Sequence, residues 1–175
     1  MTGKLLGIAI VLTALVAGAV MYYLQVYYFY DEVSATGTDD VQMVSLVTGE
    51  SEPVLYDDFK AIDATSSPIR YRACFTTTMS TAMLTETYVY YDAPEPLTAP
   101  DWFACFDAEA LGAALEDGTA LAFLGEKDVQ YGIDRVVAVT DDGRGYVWHQ
   151  INDCGEVVFD GKPAPEHCPE PPSGY

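Results

Sequence analysis

The chain has 175 residues, with 27 acidic against eight basic side chains and a formal net charge of −19. That length is a prior for one domain. Every acidic residue lies at or beyond Asp31, and among the cations only Lys4 precedes it, so the part after residue 30 carries seven cations against 27 anions. A surface of that sign repels nucleic acid and anionic headgroups, which argues against a nucleic-acid partner, and it attracts basic proteins or divalent cations.

From Leu5 to Leu24 the chain runs twenty residues without a charge. As a helix this run rises roughly 30 Å, the thickness of a bilayer's hydrocarbon core. It has no polar face of the kind a core helix of a soluble fold presents. Tyr22, Tyr23, Tyr27, Tyr28, Phe29 and Tyr30 follow at its end. A tyrosine ring is apolar and its hydroxyl seeks water, so such a cluster marks the headgroup layer. Residues 1–30 therefore read as a transmembrane anchor with an aromatic belt, meeting the bilayer through residues 5–30. A signal peptide is the rival reading, with Ala17-Gly18-Ala19 as an A-x-A cleavage site. Cleavage there leaves an exposed aromatic terminus with nothing to bury it, which favours the anchor. Lys4 flanks one end of the run and Asp31, Glu32, Asp39 and Asp40 the other. The positive-inside rule then puts the amino terminus in the cytoplasm. Gly3 and Gly7, and Ala14 and Gly18, are four apart, a spacing that lets two spanning helices approach, although small residues are frequent in any span.

Beyond the anchor, residues 31–40 (DEVSATGTDD) read as a polar stalk, residues 41–170 as one domain and residues 171–175 as a flexible tail. VQMVSLVT (41–48) is expected as a strand, and LYDDFKAIDA (55–64) as a helical turn or two. PIRYRACFTTTM (68–79) and MLTETYVYYD (83–92) are rich in β-branched and aromatic types and are expected to pair as a hairpin. APEPLTAPDW is a proline-rich connection. The clearest helix is DAEALGAALEDG (107–118), with Asp107 as N-cap, Gly118 as stop and Leu111, Ala114 and Leu115 as its apolar stripe. ALAFLG (120–125) is a short strand. GIDRVVAVT and GYVWHQI flank Asp141-Asp142-Gly143-Arg144, a strong hairpin signal, and EVVF (156–159) is expected to add a third strand. The fold class is α+β: an N-terminal transmembrane helix followed by a mostly antiparallel sheet domain with one clear helix.

The four cysteines, Cys74, Cys105, Cys154 and Cys168, all follow the span. An even number on an oxidising side reads as two disulfides, of which three connectivities exist. Cys154–Cys168 is favoured because Asp160-Gly161 folds the intervening segment back on itself, which leaves Cys74–Cys105. His149, Cys154, His167 and Cys168 are also the ligand types of zinc or copper, but they lack the spacing of a zinc knuckle.

No motif carries chemistry on its own. G-x-S-x-G, S-x-x-K, CxxC, a calcium loop and a glycine-rich phosphate loop are all missing from the sequence, and no cofactor is implied. Three side chains are candidate ligand contacts. Arg70 and Arg72 are two apart and share a strand face, which suits an anion clamp, although in so acidic a chain they are expected to pair with neighbouring carboxylates. His149 alternates with Trp148 in a predicted strand and is more often a packed residue than a general base.

SSPIRYRACF (66–75), DWFACFDA (101–108), GIDRVVAV (132–139) and WHQINDCG (148–155), behind one amino-terminal span, resemble a family of small alphaproteobacterial single-span membrane proteins of unknown function. The resemblance implies a bacterial inner-membrane protein and no transferable activity. The expectation is a membrane-anchored periplasmic protein acting as a non-enzymatic interaction or assembly module of the envelope, with a basic envelope protein as the electrostatically favoured partner. The alternative is a periplasmic ligand- or metal-binding domain.

Overall fold

The computed structural model describes residues 2–37 and 39–173. Helix α1 (Thr2–Tyr23) continues into a wider π-helical turn, Leu24–Tyr28, closed by the Phe29 N–H donating to the Leu24 carbonyl at 3.2 Å. Gly3–Tyr28 is a helix of 26 residues, long and apolar enough to cross a membrane, and its window of highest hydropathy buries nothing against the rest of the chain. At 1.5 Å per residue it spans roughly 39 Å.

The helix runs into the domain without a break. β1 (Asp31–Val33) begins two residues past the π turn and pairs antiparallel with β4 (Asp57–Asp63), Glu32 opposite Ile62. The expected stalk therefore opens as an edge strand. Its far end is also tied down: the Asp40 carboxylate accepts the N–H groups of Thr36 and Gly37 at 2.8 Å each, and the Tyr56 hydroxyl. Thr38 of the stalk, and Gly174 and Tyr175 of the expected tail, lie outside the described residues.

Six antiparallel strands form the main sheet in the order β1-β4-β5-β8-β7-β6, where β5 is Arg72–Thr76, β6 Ala120–Gln130, β7 Ile133–Thr140 and β8 Arg144–Ile151. A second pair, β2 (Gln42–Val44) and β3 (Ser51–Pro53), joins it through residues 88–91. Val89 N–H donates to the Val44 carbonyl, and Leu124 N–H donates to the Val89 carbonyl, both at 2.9 Å. The outer edge of β6 is thereby covered.

Both faces of the sheet are buried. Phe123, Val137, Val147, Ala73 and Phe75 point to one side, against Met43, Leu84 and Tyr88. Val136, Trp148, Tyr146 and Ala138 point to the other, against Phe103, Phe106 and Leu111. Period-two alternation explains the split. α3 (Ala108–Asp117) lies on the second face with Leu111 inward, its Asp107 cap accepting the Ala110 N–H at 3.0 Å and Gly118 closing it in the left-handed region at φ 78°.

Three expectations are corrected. Residues 57–63 are strand, not helix. Asp58 sits at φ 53° in a register shift between Asp57 and Lys60, and this bulge breaks the period of two. Tyr56 and Phe59, three apart, consequently pack on the same core with Ala61, a helix-like spacing, while Ile62 turns to the other face. Residues 81–87 form α2 (Thr81–Thr87), not a strand, so 68–79 has no hairpin partner there. Ser80 caps it, and Thr85 and Thr87 return their hydroxyls to the carbonyls of Ala82 and Met83 at 2.9 and 2.7 Å, which reconciles β-branched residues with a helix. Residues 153–159 form α4 (Asp153–Phe159), capped by Asn152, with Asp153 and Glu156 in its first turn. The β7–β8 hairpin is present, but among its turn residues only Gly143 has positive φ, 83°. Its N–H donates to the Thr140 carbonyl at 2.9 Å, so the turn is a type I turn followed by a left-handed glycine.

Candidate functional site

The two arginines expected to act together have different work. Arg72 opens β5 and is 3% exposed. Its guanidinium donates only to backbone carbonyls: Leu97 at 2.7 Å, Ile69 at 2.8 Å, Tyr71 at 2.6 Å and Thr98 at 3.3 Å. It ties the loop 97–98 to the turn Pro68–Arg70 and leans over the Phe106 ring at 5.7 Å. Burial pushes its pKa down to about 10, against the favourable field of Asp63.

Arg70 lies on the short 3₁₀ turn rather than on the strand, so the two do not share a strand face. Its Nη2 donates to Gln25 Oε1 at 2.9 Å, and its guanidinium carbon lies 5.5 Å from the centre of the Tyr30 ring. Its Nη1 is buried with no hydrogen-bond partner. Neither arginine makes an ion pair among the described residues, contrary to the expected pairing with carboxylates.

Arg70 is one of several contacts that dock the end of the long helix on the domain. Trp102 Nε1 donates to the Val26 carbonyl at 2.7 Å, and its ring stacks on Tyr27 at 6.4 Å and meets Tyr30 edge-on at 6.1 Å. A cavity of about 510 Å³ lies in this junction, walled by Gln25, Tyr30, Ser67, Arg70, Arg72 and the loop Leu97–Pro100. Trp102 and Gln25 were not singled out by sequence. Only the helix end and the DWFACF segment, taken together, would have pointed to them.

His149 is 8% exposed and stacked on Tyr71 at 4.9 Å. Its Nδ1 lies 2.7 Å from the Pro68 carbonyl, and Arg135 Nε donates to its Nε2 at 3.2 Å. A carbonyl only accepts and a guanidinium only donates, so the ring is the neutral Nδ1–H tautomer. Burial pushes its pKa down to about 4. With both nitrogens engaged, it has no free lone pair for a substrate proton or a metal ion.

Cys74 joins Cys105, and Cys154 joins Cys168, with Cα atoms 6.2 and 5.7 Å apart, the favoured connectivity. The first cystine fastens β5 to the segment carrying Trp102, and the second fastens α4 to the carboxy-terminal segment. Ligand atoms of Cys154, His167 and Cys168 lie within 4.8 Å of one another, but sulfurs bonded in a cystine are not thiolate donors, and His149 is held elsewhere.

The larger cavity, about 910 Å³, is a groove between residues 90–95, the end of β8 and α4. Asp92, Glu95, Asp134, Asp153, Glu156 and Asp160 line it against Lys127 and His167, with Tyr90 and Phe159 as apolar wall. Asp134, 6% exposed, forms its floor: its carboxylate accepts the Asp128 N–H at 2.9 Å, Asn152 Nδ2 at 2.8 Å and the Tyr91 hydroxyl at 3.3 Å. Burial, then the Asp134 charge, raises the Tyr91 hydroxyl pKa. Asp128 holds positive φ at 50° and accepts from the Gly132 N–H and from Asn152, so one buried network fixes β7, the turn before it and the cap of α4. The only sequence signal of this floor was an aspartate inside the apolar run GIDRVVAV. The groove shares Ile69 and Leu97 with the junction cavity.

A family model described as a family of unknown function (DUF6446) matches residues 41–169. The chain belongs to that family. No curated protein and no solved structure matches the chain. The family's matched region covers β2 through the second cystine, and with it the groove, both arginines and His149.

Proposed function

We propose that the chain is a single-pass protein of a bacterial inner membrane whose periplasmic domain is a non-enzymatic interaction module, taking a basic segment of another envelope protein in the acidic groove. The observation that carries this reading is the groove itself: six carboxylates against one lysine and one histidine, around an apolar wall, in a cavity of about 910 Å³. Charge complementarity of this kind sets partner choice and encounter rate. Three features support the location. The helix Gly3–Tyr28 is of spanning length, Lys4 is the only cation before Lys60, and two cystines suit an oxidising compartment.

A photo-crosslinking residue placed at Glu95 in whole membranes tests the groove. The expected outcome is a discrete crosslinked protein that is lost on charge reversal, Glu156→Lys, and weakened by raised salt. A crosslink insensitive to both, or no reproducible protein crosslink, overturns the reading. An alkaline phosphatase fused to the carboxy terminus is expected to be active, and the intact mass is expected to include residues before Val20. A chain beginning at Val20 makes the helix a discarded signal.

A further inference from the structure

We propose that the junction cavity receives the phosphate of a phospholipid headgroup, with Arg70 as the residue that binds it. The inference rests on the membrane-anchored reading above. A hydrocarbon core about 30 Å thick takes up about twenty residues of helix, so with Leu5–Leu24 inside it Gln25 to Tyr30 lie in the headgroup layer. Arg70 is bonded to Gln25 at 2.9 Å and packed on Tyr30, which puts its guanidinium in the same layer.

Although acidic residues outnumber basic ones by 27 to eight, neither Arg70 nor Arg72 has a carboxylate partner among the described residues, and both line this one cavity. Arg72 is satisfied by carbonyls and holds its charge in the cavity wall without a carboxylate in contact. Arg70 retains a buried nitrogen with no acceptor. A buried cationic N–H without a partner is unfavourable, and a small turn of the Arg70 side chain that brings it to an oxyanion in the cavity removes that penalty. The guanidinium fork matches phosphate oxygens, and Tyr30, which lines the site, and Trp102, which meets the Tyr30 ring edge-on, are amphipathic rings suited to the same layer. A lipid phosphate is already held at this depth, whereas soluble phosphate must be drawn toward a domain of strong negative charge.

The test is native mass spectrometry of the full chain in mild detergent, titrated with phosphatidylglycerol, phosphatidylethanolamine or diacylglycerol. The expected result is one retained phospholipid of either headgroup, no retained diacylglycerol, and affinity about tenfold lower in Arg70→Gln, with partial recovery in Arg70→Lys. Thermal unfolding of each variant separates lost binding from lost folding, and Lys162→Gln, far from the junction, is expected to bind as the parent does. Equal retention of diacylglycerol, or unaltered phospholipid binding in a folded Arg70→Gln chain, overturns the proposal. Displacement of the lipid by millimolar inorganic phosphate assigns the site to soluble phosphate and overturns the lipid source. Carbonate extraction of membranes reads the anchor separately. A chain that stays in the pellet but binds no phospholipid fails this inference alone; a chain released into the supernatant fails the anchored reading.

Discussion

His149 is neutral because of where it is, and that has a measurable consequence. Its folded pKa is about 4, below the ordinary value of 6.5 for a free histidine, through burial first. Between those values the unfolded chain binds a proton that the folded chain refuses, so stability falls as pH drops from 6.5 toward 4 and is fully present above 6.5. The loss across that window is at most roughly 3 kcal/mol. Urea unfolding at pH 7 and at pH 4.5 is expected to show it as a lower midpoint, and a His149→Asn variant, which has no ring to titrate, is expected to flatten the slope. A parent protein equally stable at both values would show that the ring accepts its proton in place. The sequence placed His149 correctly on the face opposite Trp148. It gave no hint of the Pro68 carbonyl or of Arg135, because both partners come from elements whose placement needs the whole sheet.

Elements with a single local cause were legible, and those set by distant contacts were not. The cap at Asp107 and the glycine at 118 define α3 within a dozen residues. The β7–β8 hairpin needs only its alternation and its Asp-Gly turn. By contrast, α4 contains Val157 and Val158, good strand formers, and is helical because Asn152 caps it and Gly155 lets it approach the turn at Gly132. A Cβ on Gly155 would lie 2.2 Å from the Gly132 carbonyl oxygen, so no larger residue fits there without displacing α4. This element is also stapled by Cys154–Cys168. That bridge has a sequence separation of 14 and the other one of 31. Chain entropy then assigns about 3 kcal/mol to the first and slightly under 4 to the second. Denaturant unfolding of the Cys154→Ser/Cys168→Ser and Cys74→Ser/Cys105→Ser double variants is expected to show losses of that order, larger for the second pair. A negligible loss in either would mean that the bridge constrains nothing the packing does not already hold.

At the scale of the molecule, the long helix and the domain are one piece of architecture rather than a tether and a load. β1 supplies the outermost strand of the sheet, Val33 packs on one core and Tyr30 on the other. A chain starting at Val41, where the family match begins, lacks that strand and leaves the edge of β4 unpaired. Compared with a chain starting at Tyr30, it is expected to melt at a lower temperature, the lost apolar burial being on the order of 2 kcal/mol. Equal melting temperatures would mean that β1 merely rests on the sheet. The polar composition of residues 31–40 hid this role, since an edge strand with one face in water needs few apolar residues. The wall formed by Ile69 and Leu97, common to the groove and the junction cavity, also sets where a partner can be met. In the membrane-anchored reading proposed above, that shared wall sets the groove beside the junction that meets the headgroups. The proposed partner, if itself anchored, would meet the groove by diffusing within the plane of the membrane, where confinement raises the effective concentration of its basic segment. A weak contact then suffices for lasting occupancy, whereas the same segment free in solution would scarcely bind.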